Sequence, residues 1–339
     1  MIVVFGAAGF IGTYFVDQLV NDGFDVLAVD KCNIGEEYYN DMGIPFINCD
    51  ITSEKEINKL PTKNIKSVVN LACLQPANMR HNVYKSTDFF KVNVIGTLNV
   101  LDYCKNIGVS KIIYMCSLRN TQGLWADAEG PISEEDGISI KYTGEYSMFS
   151  ISETAASESV MHYSQQYGIQ GIILRIPPVY GYGPHTEIYK EGKPLTTGLQ
   201  IFIEKALAGK PLEVWGNPQN GRDIIYVKDV VSAMLLSIKS NTANGLYNVA
   251  SGRLLTLEEQ VRIIAKIFSP DDIIPEIKYL PEKDNSIESY VYDISKVKRE
   301  LKWIPKYSFD QMMVDYKNEM ELGRFEFLVK KRKQMFKNI

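Results

Sequence analysis

The chain has 339 residues, 45% of them hydrophobic and 23% charged, and its 37 basic and 41 acidic residues leave a net charge of −4. That composition suits a soluble globular protein of one large domain or two, and the charge provides no general attraction to nucleic acid or to an anionic membrane. Five scattered cysteines (32, 49, 73, 104 and 116) contain no Cys-x-x-Cys pair, which points to reduced thiols and a cytoplasmic setting, and His81, His162 and His185 have no metal-ligand spacing, so no metal is expected.

The first apolar run, Ile2-Val3-Val4-Phe5, reads as a strand beginning at Met1, which leaves no room for a signal peptide. It runs into Gly6-Ala7-Ala8-Gly9-Phe10-Ile11-Gly12. A helical pattern follows, with Phe10, Ile11, Phe15, Leu19 and Val20 on one face, and stops at Asn21-Asp22-Gly23. A second strand, Val26 to Val29, ends on Asp30. In such a unit Gly6 allows a tight turn, Gly9 lets the backbone approach a pyrophosphate, and Gly12 lets helix and strand pack closely. The helix N-terminus offers free N–H groups and positive dipole to phosphates. Asp30 can accept hydrogen bonds from an adenosine ribose and would repel a 2′-phosphate, so the pattern reads as an NAD site rather than an NADP site; the adjacent Lys31 softens that preference.

Further on, Pro45 to Asn48 reads as a strand ending at Cys49-Asp50-Ile51, and Ser67 to Ala72 as another. A helix over 88–106 and a strand over 111–115 follow, then a loop over 123–143, a helix over 149–167 and a strand over 171–175. Strands alternating with helices imply an α/β fold, a doubly wound parallel sheet of Rossmann type, with ligands beyond the carboxyl ends of the strands. The turn-rich Pro177 to Pro184 reads as the change to a smaller C-terminal substrate-binding portion. The expected division is 1–176 for NAD, with 223–250 returning to it, and 177–222 with 251–325 for substrate. The basic tail, 326–339, reads as a solvated helix end rather than a nucleic-acid or membrane arm. No stretch is apolar for long enough to span a membrane.

These motifs resemble the extended short-chain dehydrogenase/reductase family, whose members include nucleotide-sugar epimerases and dehydratases. The Gly-x-x-Gly-x-x-Gly spacing is one sign. Val68-Val69-Asn70-Leu71-Ala72-Cys73 resembles the strand that lines the cofactor, and Asn93-Val94-Ile95-Gly96-Thr97 resembles the family's Asn-x-x-Gly-Thr helix start. Arg222-Asp223-Ile224-Ile225-Tyr226-Val227-Lys228-Asp229, Tyr247 to Gly252, and Asp293 to Pro305 resemble later landmarks in the expected order. The resemblance implies that Gly6, Gly9, Phe10, Ile11, Gly12, Asp30, Lys31, Asp50, Ile51, Leu71, Ala72, Cys73 and Asn93 line the cofactor. It also implies a nucleotide-sugar substrate, with Arg222 on the diphosphate, Lys283 as a second basic contact and Trp215 against the base. A homodimer built on the helices near 93–106 and 149–167 is a family expectation; Ile95, Leu98, Leu101, Val160 and Tyr163 could serve it or could equally face their own sheet.

The family's chemistry needs a Tyr-x-x-x-Lys pair on one helix face, with a Ser or Thr nearby. Ser117 fits the last role. The pair itself is missing. Counting back from the strand end at Arg175, and separately from the helix end at Tyr167, the family spacing lands on Phe149 both times, and four residues on stands Glu153. Pro178 stands where the family carries an Asn toward substrate. Three readings follow: an enzyme with a relocated base, drawn from Tyr142, Tyr146 or Glu153; a protein that binds NAD and sugar nucleotide without turnover; or a catalytic Tyr in another register.

Overall fold

The computed structural model describes residues 1–79, 85–184, 188–190, 193–285 and 287–336. Strand β1 (Ile2–Phe5) leads through the glycine-rich turn into helix α1 (Phe10–Asn21), then β2 (Val26–Asp30), α2 (Ile34–Asp41), β3 (Phe46–Asn48) and β4 (Ser67–Asn70). Helix α3 (Thr97–Ile107), β5 (Lys111–Ser117), α4 (Ser147–Tyr167) and β6 (Gln170–Ile176) continue the alternation. Beyond them come α5 (Gly198–Leu207), β7 (Leu212–Trp215), α6 (Val227–Lys239), β8 (Gly245–Asn248), α7 (Leu257–Phe268), β9 (Ile277–Leu280), α8 (Phe309–Glu321) and α9 (Glu326–Phe336).

Seven strands form one sheet in the order β8-β6-β5-β4-β1-β2-β3, and every pairing in it is parallel. Both faces are buried, which is why the strands are apolar throughout rather than alternating with polar residues. Ile2 and Val4 point into one core with Val26, Ala28 and Val69. Val3 and Phe5 point into the other with Leu27, Val29 and Val68. The winding reverses between β1 and β4, and a crevice opens there beyond the strand ends, between Gly6 and Asn70. A smaller unit holds the parallel pair β7–β9.

Two local features, a split helix and the tail, depart from expectation. The helix expected over 88–106 is split: a turn over Ser86–Phe89, a π-helical stretch over Phe90–Gly96, and then α3. The wider stretch sits against the cleft, a placement typical of π segments. Leu101 and Val160 are fully buried and Tyr163 nearly so, so these three face their own subunit, whereas Ile95 stands 49% exposed. The tail is not a solvated helix end. Phe325, just before α9, and Leu328 within it are fully buried, Lys331 pairs with Glu37 of α2 at 2.6 Å, and Arg332 reaches the glycine-rich turn. Two of its positive charges, on Lys331 and Arg332, are thus spent on protein acceptors, while Lys330 is exposed.

Candidate active site

The crevice begins at Gly6, whose φ is +78°, a left-handed backbone that favours glycine. A Cβ there would stand 2.8 Å from Ala72 N. At Gly12 a Cβ would meet Gly6 O at 2.2 Å, so the first turn of α1 lies directly against the turn that precedes it. Gly9 is the N-cap and no side chain caps the helix, so the first-turn amides of Phe10, Ile11 and Gly12 are left for an anionic ligand. The chain after β6 lies over Phe10: a Cβ on Gly183 would be 2.4 Å from its ring. Asp30 ends β2 with one carboxylate oxygen accepting from Ala8 N at 3.0 Å and the other from Cys32 N at 2.9 Å. A tight cradle without Cβ atoms, an uncapped helix start and a fixed carboxylate one strand away together fit a dinucleotide.

The other cofactor-side residues divide. Leu71, Ala72 and Cys73 follow β4 into the crevice; Cys73 is an exposed residue, but burial of its thiol pushes the pKa up. Lys31 is exposed beside Asp30. Asp50 turns its carboxylate onto Thr52 N at 2.9 Å, and Ile51 is buried, with a Cβ on Gly96 falling 2.5 Å from its side chain. Asn93 is bound by protein groups. Its carbonyl oxygen accepts from Leu74 N at 2.7 Å, and its amide donates to Leu74 O and Ser152 Oγ, both at 3.0 Å. With both amide hydrogens and the oxygen engaged, it braces the loop after β4.

At the reaction end, Phe149 is 3% exposed, its ring 6.3 Å from Phe89 and 6.2 Å from Tyr146. Glu153 is 2% exposed and accepts from the Tyr114 hydroxyl at 3.2 Å. Burial pushes its carboxyl up to about 8, which that hydrogen bond only partly offsets. That shift favours the protonated carboxyl at neutral pH. Ser117 Oγ accepts from Arg119 N at 3.2 Å and caps the turn that follows β5.

Glu153 has a consequence for stability. Its folded pKa lies above the ordinary 4.5, so the folded state holds a proton that the unfolded chain loses between pH 4.5 and about 8. Stability conferred by that proton is complete below pH 4.5 and is lost as pH rises toward 8. The shift corresponds to about 5 kcal/mol in full. Glu153→Gln, which keeps the shape of the protonated acid, should melt several degrees above the unmodified protein at pH 8 and close to it at pH 5. Equal melting temperatures at both pH values would show that the carboxyl does not hold its proton.

Arg119, which the sequence reading did not single out, leaves the end of β5 and lays its guanidinium 4.1 Å from the centre of the Tyr146 ring. It also donates to Gln122 Oε1 at 3.0 Å. Burial and the nearby charge of Arg222 together pull its pKa below the usual arginine value. Burial pushes the Tyr146 phenol up and Arg119 pulls it back. Trp125 and Tyr290, stacked at 4.2 Å, stand beside the two arginines. Arg222 itself lies in a two-residue strand held to Leu255 and Tyr290, and its buried Nε has no hydrogen-bond partner.

Asp223 explains how Arg222 is presented. Fully buried, it accepts from Ser251 N at 2.8 Å, Gly252 N at 3.0 Å and Tyr292 N at 3.2 Å, tying three segments together. Its place next to Arg222 in the Arg-Asp motif was the signal for it. Trp215 and Lys283 lie together at the surface: Lys283 Nζ is 4.5 Å from the Trp215 ring centre, and both bond the Glu213 carboxylate. Pro178 contributes its carbonyl, which accepts from Ile225 N at 3.1 Å. Among the described residues no group of His, Cys, Asp and Glu could hold a metal, and no helix is long and apolar enough to cross a membrane. His81 and His185 lie outside the described residues.

Comparison with known proteins adds the following. The model of the NAD-dependent epimerase/dehydratase family matches residues 2–250. UDP-glucuronic acid decarboxylase 1 of Arabidopsis thaliana is 26% identical over 329 residues, covering 94% of this chain and 70% of that protein. The crystal structure of UDP-glucose 4-epimerase from Thermotoga maritima with UDP-glucose superposes with a TM-score of 0.79 at 25% identity, over 95% of this chain and 99% of that one. The Thermus thermophilus UDP-glucose 4-epimerase complex with NAD superposes with a TM-score of 0.72 at 26% identity, over 94% and 98%.

Proposed function

Because the chain belongs to the NAD-dependent epimerase/dehydratase family, we propose that it acts on the sugar of a nucleoside diphosphate sugar, with Tyr146 as the base. Residues 177–222 and 251–325 form the sugar-nucleotide portion of this reading. Bound NAD would lie against Gly6, Gly9 and Gly12 with its adenosine ribose on Asp30, and would supply hydride exchange at the sugar carbon. The protein's own task is the proton on the sugar hydroxyl. Phe149 has none to exchange and Glu153 keeps its own. Tyr146 is half-buried and one helical turn from Phe149. The observation that carries the reading is the Arg119 guanidinium 4.1 Å over its ring. A cation in that place favours the phenolate, which is what a lysine does in the usual pair. Ser117 would bond the same hydroxyl. Arg222, with its unpartnered Nε, would hold the diphosphate, since a forked guanidinium suits phosphate oxygens. Trp215 and Lys283 would meet the base. The family's dimer is part of this reading, through the outer faces of α3 and α4.

A second reading is favoured by the sealed Phe149 and the protonated Glu153: NAD and sugar nucleotide are bound without turnover. The experiment is a panel of UDP-, GDP-, dTDP- and CDP-sugars incubated with the protein and NAD. Products are separated by chromatography, NADH absorbance is followed, and binding is measured by calorimetry. Turnover of any member supports the first reading. Binding of both ligands with no product supports the second. Failure of either ligand to bind overturns both.

A further inference from the structure

The C-terminal helix α9 lies against the adenosine end of the dinucleotide crevice. Its base is anchored by Arg324, which donates to Asp17 Oδ2 at 2.6 Å and Glu319 Oε1 at 3.0 Å and lies 4.3 Å from the centre of the Tyr14 ring. Buried Phe325 and Leu328 hold it in the core. One turn further on, Arg332 Nη2 donates to Ala8 O at 2.7 Å. Ala8 N in turn donates to Asp30 Oδ2 at 3.0 Å, so Arg332 and Asp30 grip the two polar backbone groups of one residue of the glycine-rich turn. The charge of Arg332 reaches the Asp30 carboxylate, and its Nε is buried without a partner. A buried donor left unsatisfied is unfavourable and gains from an acceptor brought to it.

We propose that Arg332 is a cofactor-binding residue that works as a pair with Asp30 on the adenosine ribose. A ribose hydroxyl is donor and acceptor at once. It can give its hydrogen to the Asp30 carboxylate and accept one from Arg332 Nε. The reader of the ribose is then split between the end of the second strand and the last helix of the chain. The inference rests on the glycine-rich turn being the NAD site, and the test separates the two.

Calorimetry on the full chain would compare NAD, ADP, 2′-deoxy-ADP and 3′-deoxy-ADP binding to the unmodified protein, Arg332→Ala, Arg332→Gln and Lys331→Ala. Both Arg332 variants are expected to weaken NAD and ADP about tenfold, the loss of one hydrogen bond to a ligand hydroxyl. For at least one deoxy-ADP the loss should be under about twofold, because the hydroxyl that Arg332 serves is already gone. Lys331→Ala, which removes the contacts to Glu37 and to the Phe327 ring, should leave NAD affinity within about twofold. NAD affinity unchanged in both Arg332 variants would overturn the proposal. So would an equal loss on ADP and both deoxy analogues, which would make Arg332 an anchor of the helix and nothing more. Failure of the unmodified protein to bind NAD at all would remove the site reading, and this inference with it.

Discussion

Gly12→Ala is expected to lower NAD affinity by at least about a hundredfold, with the far-ultraviolet spectrum retained. The added Cβ would stand 2.2 Å from Gly6 O and 2.7 Å from Ala7 O, both backbone atoms of a turn that is itself fixed by Gly6 against Ala72. Nothing flexible is available to give way, so α1 must back off by about 1 Å to reach ordinary contact. That shift carries the amides of Phe10, Ile11 and Gly12 away from the phosphate position. Hydrogen bonds from amide to charged oxygen contribute about 1.5–3 kcal/mol each, so misplacing two of them accounts for a hundredfold or more. Gly9→Ala is the companion variant, since a Cβ there meets only Gly6 O, at 3.1 Å, and the fold should tolerate it. Calorimetric titration with NAD is the measurement. Unaltered affinity in Gly12→Ala would mean that the dinucleotide does not sit on this turn.

The second large effect concerns the base. Tyr146→Phe should lower kcat on whichever sugar nucleotide is turned over by about 10²–10⁴, the range for loss of a positioned acid–base group, with NAD affinity unchanged. The ring that packs on Phe149 and under Arg119 is retained, so only the hydroxyl is lost. Arg119→Lys should move the alkaline limb of the pH–rate profile, because a point charge on a flexible stem does not reproduce a guanidinium stacked on the ring. Full activity in Tyr146→Phe would remove this residue from the mechanism.

Much of this protein could be read from local pattern. The strand, the Gly6-Gly9-Gly12 turn, helix and Asp30 specify a βαβ unit because glycine sterics and a two-strand spacing act over a few residues. The expectation that Phe149 and Glu153 stand at the Tyr and Lys positions is different in kind: it rests on the spacing of the family that the sequence resembles, counted from Arg175 and Tyr167, and both residues lie on α4. Side-chain function followed less readily. That Asn93 bonds the backbone of Leu74 and the Ser152 hydroxyl is visible only in the folded chain.

What the sequence by itself determined is the parallel sheet and the position of the glycine-rich turn, which follow from periodicity and short-range sterics, while the family followed from the resemblance of its motifs. Only the tertiary structure decided the states of the charged groups. The Glu153 carboxyl is pushed up because the core around it excludes water, against the opposing hydrogen bond from Tyr114, 39 residues away in the chain. Arg119 stacks on Tyr146 because the end of β5 and the start of α4 lie side by side. Arg332 meets Ala8 across 324 residues of sequence. Charge and hydrogen-bond partners depend on which segments finally pack together, and no local spacing carries that information.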